Sequence, residues 1–344
     1  MKIAIGILAH QEEGFIGATI ASLLAQSVIA DDAVAKEIIV VANGCTDGTV
    51  NEARAALTVA AGPSLRAEVL DIAEAGKANA WNVFVHEASA PDTDYLVLLD
   101  ADIEFAEADA IARLIRHLTA NPAVAIAPDQ PEKKFSDAGG ALGPVIRALQ
   151  KTGSDGDHSL SGQCYAAHAA ALRSLTMPRG IVVEDGFLRA MTLTRNFTEP
   201  ETRSRILRAP GVRHFYRPYE SLSAIYRYER RQAVGTAINR FLYDEFRRWR
   251  AAGVDIVAEI VRRNAADPNW IEEIIGASVK RSGLIVVPRN YVLRRLRRRE
   301  NWTPKRLLKA PLIAASALFD LVVAADASRQ LRGRGARWET IRSA

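Results

Sequence analysis

The sequence predicts an α/β fold with a mainly parallel sheet flanked by helices, followed by a helical C-terminal extension. Three observations predict it. Short apolar runs alternate with segments of helical period from Ile3 to Pro128, the pattern of strand–helix–strand units. Beyond about residue 220 the strand signals stop, and a helical, arginine-rich pattern takes over. The chain has 344 residues, 49% hydrophobic and 25% charged, enough for one domain with a substantial core plus an appendage. The expected division is an α/β domain over residues 1–220 and a helical, arginine-rich extension over 221–344.

The elements follow in order. IAIGIL, residues 3–8, is a short buried strand, and GFIGATIASLLAQSV then places Phe15, Ile16, Ile20, Leu23 and Leu24 at helical spacing. EIIVVANG is a second strand ending in a turn, and DGTVNEARAAL a second helix. AEVLDI is the third strand, GKANAWNVFVHEA the third helix, YLVLLD the fourth strand and EADAIARLIRHL the fourth helix. AVAIAP is a fifth strand. Residues 129–160 are rich in Gly, Asp, Ser and Lys, and read as loops around a short helix. No internal repeat or low-complexity tract is apparent.

Composition excludes several classes. Cys45 and Cys164, the only cysteines, lie far apart and form neither a disulfide framework nor a CxxC metal site, as expected of a reducing, cytoplasmic setting. MKIAIGILAHQEE has a seven-residue apolar run with no small-residue cleavage site after it, so a buried first strand is expected rather than a signal peptide. The net charge is +5, yet residues 289–309 carry nine basic residues against Glu300, a local +8, leaving about −3 elsewhere. An acidic partner would therefore meet the C-terminal part.

Three Asp-x-Asp triplets occur, and context separates them. Asp92 and Asp94 precede the fourth strand, and Asp155 and Asp157 lie in a glycine-rich stretch. Only Asp100 and Asp102 follow a buried strand at its carboxyl end, the edge where α/β sheets bind ligands. Residues i and i+2 of an extended segment point the same way, so these carboxylates could converge on a hard cation, Mn²⁺ or Mg²⁺. A solvated strand end is the plainer alternative.

The ordered set EIIVVANGCTDGT, GKANAWN, LLDAD and VVEDGFLRAM resembles the inverting, nucleotide-sugar-dependent glycosyltransferases of family 2, over roughly residues 1–235. The resemblance implies a GT-A fold, a nucleotide-diphospho-sugar donor (a UDP-sugar favoured), a divalent cation and direct displacement at the anomeric carbon. AHQEE would place His10, Gln11 and Glu12 at the nucleoside. Asn43 stands where the family has an aspartate facing the base, and Ala42 replaces its neighbour, a departure that bears on base identity. Asn43-Gly44 is also an ordinary turn dipeptide. Lys77 matches the lysine near the donor phosphates, with Asn82 in the same element. Asp100 would face the ribose and metal waters, and Asp102 would bind the metal directly.

GIVVEDGFLRAM repeats the pattern of an apolar run ending in paired acids. In the family the aspartate of this pair is the general base, which implies that role for Asp185, with Glu184 supporting it or orienting the acceptor. Acidic residues at a helix N-terminus are the structural alternative, and both can hold. SGQC, with Gly162, resembles the segment facing acceptor and donor sugar. His214 sits where some GT-A enzymes have a third metal ligand, although a lone histidine is more often structural. Tyr226–Gln232 resembles, without its tryptophan, the family element that closes over the diphosphate, so Arg230 and Arg231 would bind phosphate or line a solvated helix face.

Residues 307–327 are the most apolar part of the C-terminus, but the longest uncharged run is ten residues, and Asp320 and Asp326 interrupt the segment. It is too short to span a bilayer, which takes about 20 residues. Two readings of residues 289–325 stand open: a basic, partly amphipathic element on an anionic membrane surface at the cytoplasmic face, or a helix packed on the α/β domain. The first suits a carbohydrate or lipid-linked acceptor for cell-surface polysaccharide or glycolipid. Alternatives to glycosyl transfer fit less well. A sugar nucleotidyltransferase needs Arg or Lys in the loop after the first strand, where GILAHQEEGF has neither, and a dinucleotide-binding dehydrogenase needs GxGxxG there. A non-catalytic nucleotide- or nucleic-acid-binding protein would use the basic tail, but no nucleic-acid module is present and nucleic acid is not an expected partner.

Overall fold

A computed structural model of the chain describes residues 1–60, 62–134, 156–219, 221–294 and 310–334. Strands β1 (Lys2–Ala9), β2 (Ala35–Asn43), β3 (Leu65–Ile72) and β4 (Tyr95–Asp100) form the parallel part of a six-stranded sheet. Its order is β3-β2-β1-β4-β8-β6, where β8 (Cys164–His168) runs antiparallel to both β4 and β6 (Ile126–Pro128). The first four strands and the helices between them follow the sequence expectation: α1 is Ile16–Leu24, α2 Thr49–Leu57, α3 Lys77–Asn82 and α4 Ala110–Ala120. The third helix differs in one respect, because α3 widens into a π-helical turn over Val83–Ala88, with Ser89 N donating to Phe84 O at 3.0 Å.

The strand side chains divide between two cores, as a period of two requires. Ile3, Ile5 and Ile7 pack with Ile16, Ile20, Leu23, Ile111 and Leu114 on one face. Ala4, Leu8, Leu96 and Leu98 face Trp81, Phe84 and the C-terminal helices on the other. Gly6 is needed on that second face: a Cβ there would stand 2.7 Å from the Phe84 ring.

The sequence missed β8. It is short and alanine-rich, and alanine is depleted in strands. It also missed a second sheet of order β5-β9-β7, formed by Ile103–Phe105, Arg213–Tyr216 and Gln130–Lys133. The loops expected over 129–160 therefore begin as a strand, and residues 135–155, including Asp155, lie outside the described set.

Two short helices, α5 (Ala169–Arg173) and α6 (Glu184–Thr194), follow β8, and the described residues beyond them hold five C-terminal helices: α7 (Leu222–Ala251), α8 (Ile256–Ala266), α9 (Ile271–Arg281), α10 (Arg289–Val292) and α11 (Ala310–Arg334). Ser221 Oγ caps α7 by accepting from Ala224 N at 3.1 Å, and Asp255 caps α8 by accepting from Ala258 N at 2.9 Å. Ala233, Ala237, Phe241, Val323 and Ala327 all belong to the core that also holds Leu8 and Trp81. The helical extension is thus packed onto one face of the sheet. Among the described residues, no helix is long and apolar enough to cross a membrane.

Candidate active-site cleft

The sheet order changes direction at β1, whose neighbours are β2 and β4. Loops leaving the carboxyl ends of such strands diverge and open a crevice between them. Here a cleft of about 300 Å³ opens at that edge, lined by residues that include His10, Glu12, Asn43, Lys77, Asp100, Asp102, Gly162, Glu184, Asp185 and Arg231. Segments more than 200 residues apart in sequence thus contribute to a single cavity.

Lys77 lies at its centre. Gly76, at φ +143°, starts α3 beside the end of β2, so the first side chain of the helix projects across the strand ends. The Lys77 ammonium lies 2.5 Å from Asp100 Oδ1 and 2.8 Å from Glu184 Oε1, and donates to Gly162 O at 3.2 Å. An ammonium has three donors, so these contacts use all of them. Lys77 is therefore a strut between β4, the loop before β8 and the start of α6, rather than a group held out toward a ligand. Burial alone would lower its pKa, but Asp100 and Glu184 outweigh burial and raise it.

The carboxylates respond unequally to this shared environment. Burial pushes Glu184 up, yet the charges of Lys77 and Arg231 hold it below the usual range. Asp100 is raised, chiefly by burial and further by Asp102 and Glu184, against the pull of Lys77. Asp185 is pushed up to about 6, first by burial and then by the Glu184 charge. Its Oδ1 accepts from Gly186 N at 2.6 Å, within the first turn of α6, where the helix dipole favours negative charge. The acidic pair thus starts α6 and lines the cleft at once. Gly162 lets these groups meet: a Cβ there would lie 3.2 Å from both Asp185 Cβ and Glu184 Oε1.

The nucleoside-side residues are tied to backbone. Asn43 is buried, its amide donating to Ala9 O at 2.7 Å and accepting from Gly76 N at 2.9 Å. It therefore closes the β1–β2–α3 corner with the same groups expected to read a base. His10 Nδ1 is 2.6 Å from Asn43 O. Gln11, at φ 55°, holds Thr46 from both ends of its amide, at 2.8 and 2.7 Å, and fixes the loop that carries His10 and Glu12. Asn82 lies away from the cleft, donating to Met177 O at 2.8 Å and accepting from Met177 N at 3.0 Å.

His214 and Arg230, like Asn82, are not brought into the cleft. His214 is fully buried on β9, paired in register with Phe105, and its Nδ1 lies 2.6 Å from Asp129 Oδ2. The pleat sets it one step behind Tyr216, which does line the cleft. It joins Asp129 and Cys164 in a buried group whose ligand atoms lie within 4.8 Å of one another. A thiol and imidazole suit a softer metal than Mn²⁺ or Mg²⁺, and this group has no opening to the cleft. Arg230 is turned to α11, where its Nη1 lies 3.2 Å from Asp326 Oδ2.

Other residues enter unforeseen. Lys133 and Arg217 add cations to the cleft wall, Arg217 lying 4.9 Å from the centre of the Phe15 ring. One face of α7 secures the acidic segment. Arg231 donates to Val182 O at 3.2 Å, Asn239 to Val183 O at 2.8 Å and Tyr243 to Gly186 O at 2.7 Å. Gly235 completes the series at four-residue spacing, with Val183 seated against its backbone. That spacing of Arg, Gly, Asn and Tyr was the available sequence signal.

Residues 4–166 match the family described as Glycosyl transferase family 2. Among solved structures the chain is similar to the mannosyltransferase PcManGT from Pyrobaculum calidifontis, determined in complex with GDP-Man and Mn²⁺, with a TM-score of 0.52, 17% identity, and 93% of this chain and 86% of that one covered. It is also similar to S. aureus TarS 1–349 in complex with UDP, with a TM-score of 0.47 and 14% identity over 96% and 91% of the two chains. M. tuberculosis glucosyl-3-phosphoglycerate synthase gives 0.45 and 22% over 69% and 78%. No curated protein sequence matches the chain. Residues 4–166 of the chain thus carry the match to glycosyl transferase family 2, and the chain has a GT-A-type α/β fold with a helical C-terminal region.

Proposed function

We propose that this glycosyltransferase moves a sugar from a nucleotide-diphospho-sugar to an acceptor hydroxyl with inversion of the anomeric configuration. The observation that carries the reading is the Lys77 bridge, which ties the strand-end acid Asp100 to Glu184 and so puts Asp185 in the same cleft as Asp100 and Asp102. Asp185 is the general base. A carboxyl titrating at about 6 is ionised near neutral pH yet keeps appreciable affinity for a proton. It takes the proton of the acceptor hydroxyl as that oxygen bonds to the anomeric carbon and the bond to the diphosphate breaks. Attack on the face opposite the leaving group inverts the centre. Arg231 and Glu184 keep the base oriented, while Lys133 and Arg217 supply positive charge for the diphosphate.

Asp102, with the oxygen of Asp100 that Lys77 does not hold, offers the hard donors that Mn²⁺ or Mg²⁺ prefers, and His214 is not among them. A divalent cation bound there would stabilise charge on the leaving diphosphate. UDP-sugars are the first donors to test; the structures determined with GDP-Man and with UDP make both bases worth assaying. The acceptor is a carbohydrate or lipid-linked sugar, as for cell-surface polysaccharide or glycolipid. The test incubates the chain with Mn²⁺ and a panel of UDP- and GDP-sugars and measures release of the nucleoside diphosphate. Release that depends on one donor and is abolished in Asp185→Asn supports the reading. Undiminished release in that variant would remove Asp185 from the role.

A further inference from the structure

The C-terminal helix α11 turns its acids the opposite way from an ordinary surface helix. Its two acids point into the protein: Asp320 is fully buried and lies 3.1 Å from Arg294, and Asp326 accepts from the Tyr226 hydroxyl at 2.8 Å. Val323, Ala324 and Ala327 are buried beside them. The outward face carries Leu318, Val322 and Leu321, which are 62%, 50% and 43% exposed. A helix on a water-facing surface normally puts its apolar stripe inward and its charges outward.

This face adjoins a second exposed apolar step. Ser328 Oγ accepts from Val286 N at 3.0 Å, and Arg332 donates to Gly283 O, which fixes residues 282–286 against α11. Within that loop Leu284 is 92% exposed and Ile285 45%. The charge around these five apolar residues has one sign. Lys280, Arg281, Arg289, Arg329 and Arg332 are exposed, and no acidic residue is exposed among the described residues of 280–294 and 314–333.

We propose that this face, Leu284, Leu318, Leu321 and Val322 with its rim of Lys and Arg, is a docking surface for a lipid bilayer bearing anionic headgroups. Apolar side chains enter the boundary of the acyl region while the basic rim meets the headgroup charge, and both contributions are required for peripheral binding of useful strength. The cleft lies close behind, because Tyr226 and Glu229 of α7 hold α11 and α10 while Glu229 also lines the cleft. The surface needs neither the donor site nor its chemistry.

The test is flotation of the full chain with two vesicle preparations, phosphatidylcholine alone and an equimolar mixture of phosphatidylcholine and phosphatidylglycerol. The native chain floats with the anionic vesicles and is released by high salt. The neutral vesicles, and the exposed-face double variant Leu318→Glu/Val322→Glu on either preparation, bind weaker by about tenfold or more. Thermal unfolding with and without donor nucleotide, unchanged in the variant, separates a docking defect from misfolding and from failure of the donor reading. Absence of flotation, or equal flotation of native and variant chains, overturns the proposal. So does concentration-dependent self-association without vesicles that the variant abolishes, which would assign the face to a second copy.

Discussion

In the proposed reaction, Asp185 and Lys77 are the residues whose environments matter most. The Asp185 pKa, raised to about 6 by burial and by Glu184, makes kcat fall roughly tenfold per pH unit below about 6 in a pH–rate profile, since only the ionised base accepts the proton. The same shift sets a stability expectation of opposite sense. A group whose folded pKa is raised favours the fold when protonated, and that contribution is lost as pH rises through about 6. Asp185→Asn should therefore abolish transfer while raising stability above that pH by about 1–2 kcal/mol, read as an increase in Tm. Lys77→Met does the reverse to its neighbours. It leaves Asp100 and Glu184 without their ammonium, and removing one partner of this part-buried group costs up to about 3 kcal/mol, the lower end of the range for buried pairs. Glu184 is held low by Lys77, so the loss is large where carboxylates are ionised and shrinks in acid, which urea melts at two pH values would measure. Asp100, Asp102 and Asp185 were legible in the sequence because each follows an apolar run at a strand or helix boundary. The bonds of Asn43 and the depth of His214 were not, because they depend on which neighbouring strand supplies the partner.

At the level of elements, α7 holds the acidic segment in place. Gly235 is the tightest point: a Cβ there would stand 2.1 Å from Val183 Cγ2 and 3.1 Å from Val183 N, so the neighbour that must move is the residue before Glu184. Gly235→Ala is expected to cost about 1–3 kcal/mol as overpacking. It should also lower kcat by about tenfold or more through displacement of Asp185, with donor affinity little changed. Steady-state kinetics on the folded variant separates the two; an unaltered kcat would mean that α7 carries stability alone. Strands β1, β2 and β4 were readable as buried apolar runs, and the half-buried edge strand β3 from its place between two helical segments. β8 and the three-stranded sheet were not, since their short, alanine-rich or polar strands owe their conformation to the neighbours they pair with.

For the whole molecule, the alternation of elements and the ordered motifs sufficed to predict the α/β class, and the switch in strand order explains why distant motifs meet at one edge. The acids that interrupt the C-terminal apolar segment read as breaks in sequence, whereas in three dimensions both are turned inward, a distinction that periodicity alone could not draw. In the proposed function, the cleft at that edge binds a nucleotide-sugar donor with a divalent cation on Asp102. Thermal unfolding with UDP, GDP and their sugar conjugates, each with Mn²⁺ or with EDTA, tests it most directly in the native chain and in Asp102→Asn. A ligand at about 100 times its Kd stabilises by about 2.7 kcal/mol, which moves Tm by several degrees. The expected result is a shift with one nucleotide that requires Mn²⁺ and disappears in Asp102→Asn. A folded native chain that shows no shift with any nucleotide, or the same shift in EDTA and in the variant, would contradict the claim.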